Sequence, residues 1–184
     1  MKIHIVSGRA DGKGAFSKYY IKSPRVGLKV IVACGSFGIY GRAHPKIDST
    51  KLLCKSHLWR SAKEEFKLLT KAYNKCSLFP KPYELCVAKI GKYVYPAIKM
   101  EHINGPSLYK AKGIKSYQKD DLVEDLEDYL RTLGIYHDDL HDNNIIVASQ
   151  RNFKVKLRPI DCSPEFISLT LVTKGGKKKL KLWI

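Results

Sequence analysis

The chain has 184 residues and a net charge of +17, since 34 Lys and Arg residues outnumber 17 Asp and Glu residues. Hydrophobic residues make up 44% of the chain, which is enough for a packed core and excludes disorder throughout. No apolar run approaches the roughly 20 residues of a membrane helix, and residues 1–6 lack the apolar stretch of a signal peptide. Neither a membrane span nor export is therefore expected.

The first half of the chain is predicted to consist of strands followed by one helix. An apolar run at residues 3–6 predicts a strand, and β-rich runs at 19–21 and 28–32 predict a hairpin. Residues 34–57 are predicted to be an irregular insertion, because Gly and Pro interrupt them without periodicity. From about residue 56 to residue 74, apolar residues recur at intervals of three or four, which predicts an amphipathic helix.

The second half is predicted to mix strands with a second helix. Two β-like runs, 83–90 and 93–100, are joined by a tight Gly-Lys turn. A stripe of leucines predicts a helix over about 119–133, and a glycine follows its end. After a polar loop, apolar runs at 145–148 and 155–160 predict two short strands.

The acidic residues are concentrated in one segment of an otherwise basic chain. Nine of the 17 lie between Asp120 and Asp142, together with a single basic residue, Arg131. The rest of the chain has 33 basic and 8 acidic residues, a net charge of +25. Such a surface favours a polyanionic partner, either an acidic protein or a nucleic acid or ribonucleoprotein. The alternative is that the charge only keeps the protein in solution.

The cysteines indicate a reducing compartment. There are five, which is an odd number, and no two have a Cys-x-x-Cys spacing. A zinc ribbon and a disulfide framework are therefore both disfavoured, and free thiols in a cytoplasmic, intracellular protein are expected. The five are Cys34, Cys54, Cys76, Cys86 and Cys162.

The polar loop at residues 137–144, which reads HDDLHDNN, is the strongest local signal for chemistry. Three interpretations fit its composition. It could be a solvated loop, or a metal cluster built from His137, His141 and the neighbouring aspartates. It could also be a phosphoryl-transfer loop, in which Asp139 orients an attacking hydroxyl and Asn144 binds magnesium.

The spacing His-x-Asp-x-x-x-x-Asn in this loop resembles the catalytic loop of protein kinases. The form HDDLHDNNIIV looks closer to their atypical relatives: RIO-type kinases, aminoglycoside and choline phosphotransferases, and the small kinase of the tRNA threonylcarbamoyl-adenosine complex. The resemblance implies an α+β, two-lobed kinase-like fold. A β-rich N-lobe would span residues 1–103, including the insertion at 34–57, and a truncated, mostly helical C-lobe would span 104–184. In such kinases a histidine at the position of His137 braces the loop by packing and hydrogen bonding.

The glycine-rich segment GKGAFS also resembles a kinase element, the loop that covers the ATP phosphates. Gly12 and Gly14 match its first two glycines, and Ser17 replaces the third. Fifteen residues after Gly14, Lys29 stands in VGLKVI, which resembles the strand whose Lys binds the α- and β-phosphates. The resemblance therefore implies that these four residues bind nucleotide.

A lysine within an apolar strand is costly to bury unless it has an anionic partner. The resemblance implies a Glu on the following helix, where the sequence offers Glu64 and Glu65. Similarity to RIO sequences favours Glu65, although the helical pattern leaves both open. The alternative is that both are surface charges.

Two further segments resemble kinase elements in the expected order. Residues 97–105, AIKMEHING, resemble the hinge of RIO-like proteins, which implies Met100 as gatekeeper and main-chain contacts of Glu101 and Ile103 with adenine. The alternative is an ordinary strand end. Asp161, 22 residues after Asp139, resembles the first residue of the Asp-Phe-Gly motif. It would share a Mg²⁺ ion with Asn144.

The resemblance implies an ATP- and Mg²⁺-dependent kinase that phosphorylates Ser or Thr residues of a protein, itself included. Asp139 would accept the hydroxyl proton. The chain has no Ala-Pro-Glu motif, so it resembles the minimal kinases of viruses, phages and bacterial effectors rather than one controlled by an activation loop. Two alternatives remain: a small-molecule phosphotransferase, and a nucleotide-gated binding protein or ATPase acting on nucleic acid or a ribonucleoprotein.

Overall fold

The computed structural model describes residues 2–13, 17–32, 52–151, 154–161 and 167–169. The chain divides into two compact units, one formed by Met1–Lys67 and Pro82–His102 and the other by Leu68–Lys81 and Ile103–Ile184. The sequence placed residues 68–81 in the first lobe, whereas the structure groups them with the second unit.

The first unit is built on a six-stranded sheet. Side chains alternate between its two faces along each strand. In the central strand β4, Val26–Ile31, Leu28 and Val30 therefore pack in a different cluster from Ile31. One cluster also holds Cys86 and Ala97, and the other is closed by helix α1, Leu52–Lys75. Strand β1, Ile3–Val6, pairs with β5, Pro82–Ile90, in parallel, and the other neighbours in the sheet are antiparallel. In the order β1-β5-β6-β4-β3-β2, the strands are Ile3–Val6, Pro82–Ile90, Tyr93–Glu101, Val26–Ile31, Ser17–Ser23 and Gly12–Lys13.

Helix α1, Leu52–Lys75, begins earlier than the sequence predicted. Residues 52–57, which were assigned to the irregular insertion, are helical, and that part of the prediction is wrong. Neither Gly nor Pro occurs between residues 46 and 79, so the residue types at 52–57 do not oppose a helix. The remainder of the predicted insertion, 34–51, lies outside the described residues.

The second unit holds helix α2, Ser116–Thr132, which begins three residues before the predicted start. Its leucines at 122, 126 and 130 are fully buried, and Gly134 follows its end with a φ of +68°. Two antiparallel pairs complete the unit: β7, Ile135–His137, with β10, Ile167–Leu169, and β8, Ile145–Arg151, with β9, Lys154–Pro159. Single 3₁₀ turns occur at Leu108–Lys110 and Asp142–Asn144.

Two cations form hydrogen bonds that link the end of α1, and the residues that follow it, to the rest of the second unit. Lys75 donates to the carbonyl of Leu133 at 3.2 Å. Arg158 of β9 donates to the carbonyls of Leu78 at 2.8 Å and Phe79 at 2.9 Å. These bonds are the physical reason that the C-terminal part of α1 belongs with the second unit. Within the described ranges, no helix is both long enough and apolar enough to cross a membrane.

Candidate active site

A buried ion pair occupies the face of the sheet that packs on α1. The ammonium of Lys29 lies 2.5 Å from Oε1 of Glu65, and the two residues are 8% and 4% exposed. Lys29 shares this face with Ile31, which contacts Leu58 and Ala62 of the helix. The strand therefore buries an ammonium beside apolar side chains, as only a paired charge allows.

The structure separates the two glutamates that the sequence left open. Along α1, the residues at 58, 62, 65, 69 and 72 are buried at alternating intervals of four and three, so Glu65 is itself a member of the buried stripe. Glu64 lies on the exposed side and forms an ion pair with Arg60 at 3.0 Å. Phe66, which the sequence pattern placed on the stripe, is only half-buried.

The glycine-rich segment lies between two paired strands, as its position in the sequence indicated. Gly12 in β2 is paired with Tyr19, and Ser17 at the start of β3 is paired with Ile31. The carboxylate of Asp11 accepts a hydrogen bond of 2.7 Å from the amide of Ile21, which fastens the N-terminal side of the segment to β3. Gly14 lies outside the described residues.

The residues expected at the hinge lie at the end of β6. Met100 is buried and is paired with Gly27, while Glu101 is half-buried and is paired with Val26. The amide of His102 donates to the carbonyl of Arg25 at 3.0 Å, which holds the main chain after β6 against the turn before β4. Ile103 is buried in the second unit.

Sequence reasoning missed a contact on the same face of the sheet. The Tyr19 hydroxyl lies 3.2 Å from Nδ1 of His102, and a Cβ atom added to Gly27 would stand 1.7 Å from the Tyr19 oxygen. Burial raises the pKa of Tyr19, and the nearby carboxylates of Asp11 and Glu101 raise it further. The only sequence signal was a glycine in the middle of an apolar strand, two residues before Lys29.

In the second unit, Asn144 and Asp139 are joined within the polar loop. The amide nitrogen of Asn144 donates to both the carbonyl and Oδ2 of Asp139, each at 3.0 Å. Asn144 is the last residue of the 3₁₀ turn 142–144. Nδ1 of His141 accepts from the amide of Asn143 at 3.2 Å and so caps the start of this turn. The Asp139 side chain remains 39% exposed, which leaves its carboxylate accessible.

His137 and the end of β9 bring Asp161 to the same loop. Nε2 of His137 donates to the carbonyl of Asp161 at 2.8 Å. Burial lowers the pKa of His137, which favours the neutral imidazole. The amide of Ile160 also donates to the carbonyl of Asn144 at 3.0 Å. Asn144, which precedes β8, and Ile160, which follows β9, therefore lie at the same end of the β8–β9 pair.

These residues suit a magnesium ion better than a transition metal. Because the nitrogen end of the Asn144 amide donates to Asp139, its oxygen end remains for a cation, and Asp161 follows β9 at the same end of the β8–β9 pair. Mg²⁺ prefers such oxygen ligands and retains several waters. In the described part of the chain, no group of three His, Cys, Asp or Glu residues is arranged to hold a metal, which disfavours the predicted alternative of a His and Asp cluster.

No family model matches the chain, and no curated protein sequence matches it. Among solved structures, Rio2 kinase from Chaetomium thermophilum, in a complex described as ADP/Mg²⁺-phosphoaspartate, is similar with a TM-score of 0.57. The protein has a kinase-like fold. The match covers 90% of this chain at 18% identity and 49% of the Rio2 chain, so this chain spans about half the length of that kinase. The predicted mixed α+β, kinase-like fold is confirmed, and membership of the RIO family stays a prediction.

Proposed function

We propose that the protein is an ATP- and Mg²⁺-dependent phosphotransferase that acts on Ser or Thr hydroxyls of proteins, including its own. The buried pair of Lys29 and Glu65 carries this proposal. A buried ion pair stabilises a fold no better than well-packed apolar side chains of similar volume. Its retention in a sheet core is therefore best explained by a need for an oriented ammonium that binds phosphate.

The proposed roles divide between the two units. In the first, Lys29, held by Glu65, positions the α- and β-phosphates, and the segment with Gly12, Gly14 and Ser17 covers them. Met100 closes the back of the base site, while Glu101 and Ile103 offer their main chain to the adenine. The phosphate roles need only a cation and main-chain amides, which these residues supply.

In the second unit, Asp139 orients the acceptor hydroxyl and takes its proton, because its carboxylate is accessible and is fixed by Asn144. Asn144 and Asp161 would hold Mg²⁺, whose charge, when it is bound, offsets the charge that develops on the transferred phosphoryl group. ADP and Mg²⁺ are part of the Rio2 complex, which supports an adenine nucleotide and Mg²⁺ here.

The test is labelling with γ-labelled ATP and Mg²⁺, alone and with a generic acceptor protein. Asp139→Asn is expected to lower labelling by about 10²- to 10⁴-fold, whereas the matched control Asp138→Asn, at the exposed neighbour, retains it. Acid-stable label recovered as phosphoserine or phosphothreonine after hydrolysis identifies a Ser or Thr acceptor, and label released by hydroxylamine identifies an acyl phosphate and an ATPase route. If Asp139→Asn protein labels as fast as wild type, the proposal is wrong.

A second candidate, a nucleotide-gated protein that binds single-stranded nucleic acid, is supported by one surface of the second unit. We define the Tyr109–Lys119 surface as residues 109–119, which contain four lysines and no acidic residue. Tyr109 and Tyr117 are 60% and 59% exposed, and the ammonium groups of Lys119 and Lys115 each lie 5.9 Å from a ring centroid. Exposed rings interleaved with cations are typical of sites where bases stack and phosphates are neutralised.

This candidate predicts RNA binding that weakens steeply with salt. Tyr117→Ala is expected to lower the affinity for a single-stranded oligonucleotide by about 10-fold or more, since one stacked base is worth about 1–3 kcal/mol. Tyr83→Ala, at a tyrosine of β5 that is 43% exposed, is the matched control. If Tyr117→Ala and Tyr83→Ala bind the oligonucleotide with equal affinity at low salt, the Tyr109–Lys119 surface is not the binding site.

A further inference from the structure

We infer that Tyr19 controls entry of the nucleobase, because its phenol occupies the base site and has to be displaced by a nucleotide. The inference rests on the proposed function and names a specificity-determining residue of the same site. It concerns the first unit alone, where the contacts of Tyr19, Gly27 and His102 are all described.

The position of Gly27 follows from the pairing of β4 with β6. Glu101 is paired with Val26 and Lys29 with Ile98, so Gly27 lies between the expected base contact and the lysine. Residues two apart in a strand share a face, which places Gly27 on the same face as Lys29. In the proposed pose, the base bonds the main chain of Glu101 and the phosphates reach Lys29. The nucleotide then has to lie over this face of the sheet at Gly27.

The phenol of Tyr19 fills the space over Gly27. Tyr19 is the partner of Lys29 in the β3–β4 pair, and its ring reaches diagonally to the glycine. A Cβ atom at Gly27 would lie 1.7 Å from the hydroxyl oxygen and 2.2 Å from Cζ of that ring. Atoms this close exclude even a methyl group, so the ring and a base cannot occupy this position together.

His102 holds the phenol in place. The Tyr19 hydroxyl is hydrogen-bonded to Nδ1 of His102 over 3.2 Å, and the two ring centroids are 5.9 Å apart. The main chain of His102 is itself fixed by its bond to the carbonyl of Arg25. The phenol thus has two fixed neighbours, the backbone of Gly27 and the ring of His102.

The experiment compares binding of MgATP and of magnesium triphosphate to the whole protein. Tyr19→Ala is expected to bind MgATP at least 10-fold more tightly than wild type, because no ring has to leave, while triphosphate affinity is unchanged. Tyr19→Phe loses only the bond to His102 and is expected to tighten MgATP binding by about fivefold, the worth of one hydrogen bond.

The matched control is Tyr93→Ala, at a partly exposed tyrosine of β6. If Tyr19→Ala binds MgATP as wild type does, or more weakly, the inference is wrong; the proposed function survives if both proteins still transfer phosphate. If neither wild type nor Tyr19→Ala binds MgATP, both the inference and the proposed function fail, since opening the site should expose it. If Tyr19→Ala binds MgATP more tightly than wild type but binds magnesium triphosphate with the same affinity, the inference is supported.

Discussion

Lys29 and Glu65, 36 positions apart in the sequence, form a 2.5 Å ion pair beneath the sheet of the first unit. Both groups are nearly excluded from solvent, so the ammonium is attracted to its partner without the screening that weakens a surface pair. The fold thereby fixes both the position and the charge of a cation on the face where the resemblance to kinases implies nucleotide phosphates.

Removing one member of this pair should destabilise the protein strongly. Lys29→Met leaves the Glu65 carboxylate buried without its cation, and the free energy of unfolding is expected to fall by about 3–5 kcal/mol. The double variant Lys29→Met with Glu65→Leu should recover most of that loss without recovering phosphoryl transfer. Urea unfolding measures the first result and the labelling assay the second.

The control for this cycle is Glu64→Gln, which removes the exposed partner of Arg60. Exposed pairs contribute little, so a change below about 1 kcal/mol is expected. If the free energy of unfolding falls strongly in Glu64→Gln and little in Lys29→Met, the Lys29–Glu65 pair is not the buried pair described above.

Magnesium dependence should report on Asp161. Asp161→Asn keeps the size of the side chain but removes a carboxylate charge, so the Mg²⁺ concentration for half-maximal labelling is expected to rise by at least about 10-fold. Asp142→Asn, in the neighbouring 3₁₀ turn, is the matched control and should leave the Mg²⁺ requirement unchanged. Labelling that persists in excess EDTA would contradict the proposed metal role.

Gly105 is expected to tolerate substitution poorly. Its φ is +141°, and an added Cβ would lie 2.2 Å from the carbonyl oxygen of Val147. Gly105→Ala combines backbone strain with overpacking, each costing about 1–3 kcal/mol. Gly91→Ala, in a turn with a φ of +57° and open space around it, should cost only the strain. Thermal and urea unfolding of the two variants compare these costs; equal losses would contradict the close approach at Gly105.

Cys86 should serve as a reporter of the core of the first unit. It is fully buried, and burial raises its pKa to about 11. At pH 8 its thiolate fraction is then about 100-fold below that of a thiol with a pKa near 9, and only the thiolate reacts. Alkylation followed by peptide mass spectrometry is expected to modify Cys86 in urea but not in the native protein. Rapid native labelling would show that β5 is not packed in the core.

Much of the fold and several candidate residues could be predicted from the sequence. Both helices and seven of the ten described strands follow from the apolar pattern, whereas the short strands β2, β7 and β10 were not predicted. His137, Asp139, Asn144 and Asp161 were identified because they resemble kinase motifs in sequence and order. In the structure Asn144 bonds Asp139 and His137 bonds the carbonyl of Asp161, and the amide of Ile160 bonds the carbonyl of Asn144, because a short loop and a hairpin end bring near neighbours together. The start of α1 was missed because its first residues follow a segment without periodicity.

The remaining features depend on contacts between residues far apart in the chain. A helical pattern limits the choice to Glu64 or Glu65 but cannot decide between adjacent positions, since a turn of 3.6 residues leaves the edge of a face undefined; packing of α1 on β4 selects Glu65. The contact of Tyr19 with Gly27 and His102 arises only when β3, β4 and β6 lie side by side. Local chemistry is thus set by the sequence, whereas the partner of each buried charge and ring is decided by the tertiary structure, because burial and distance exist only in the folded chain.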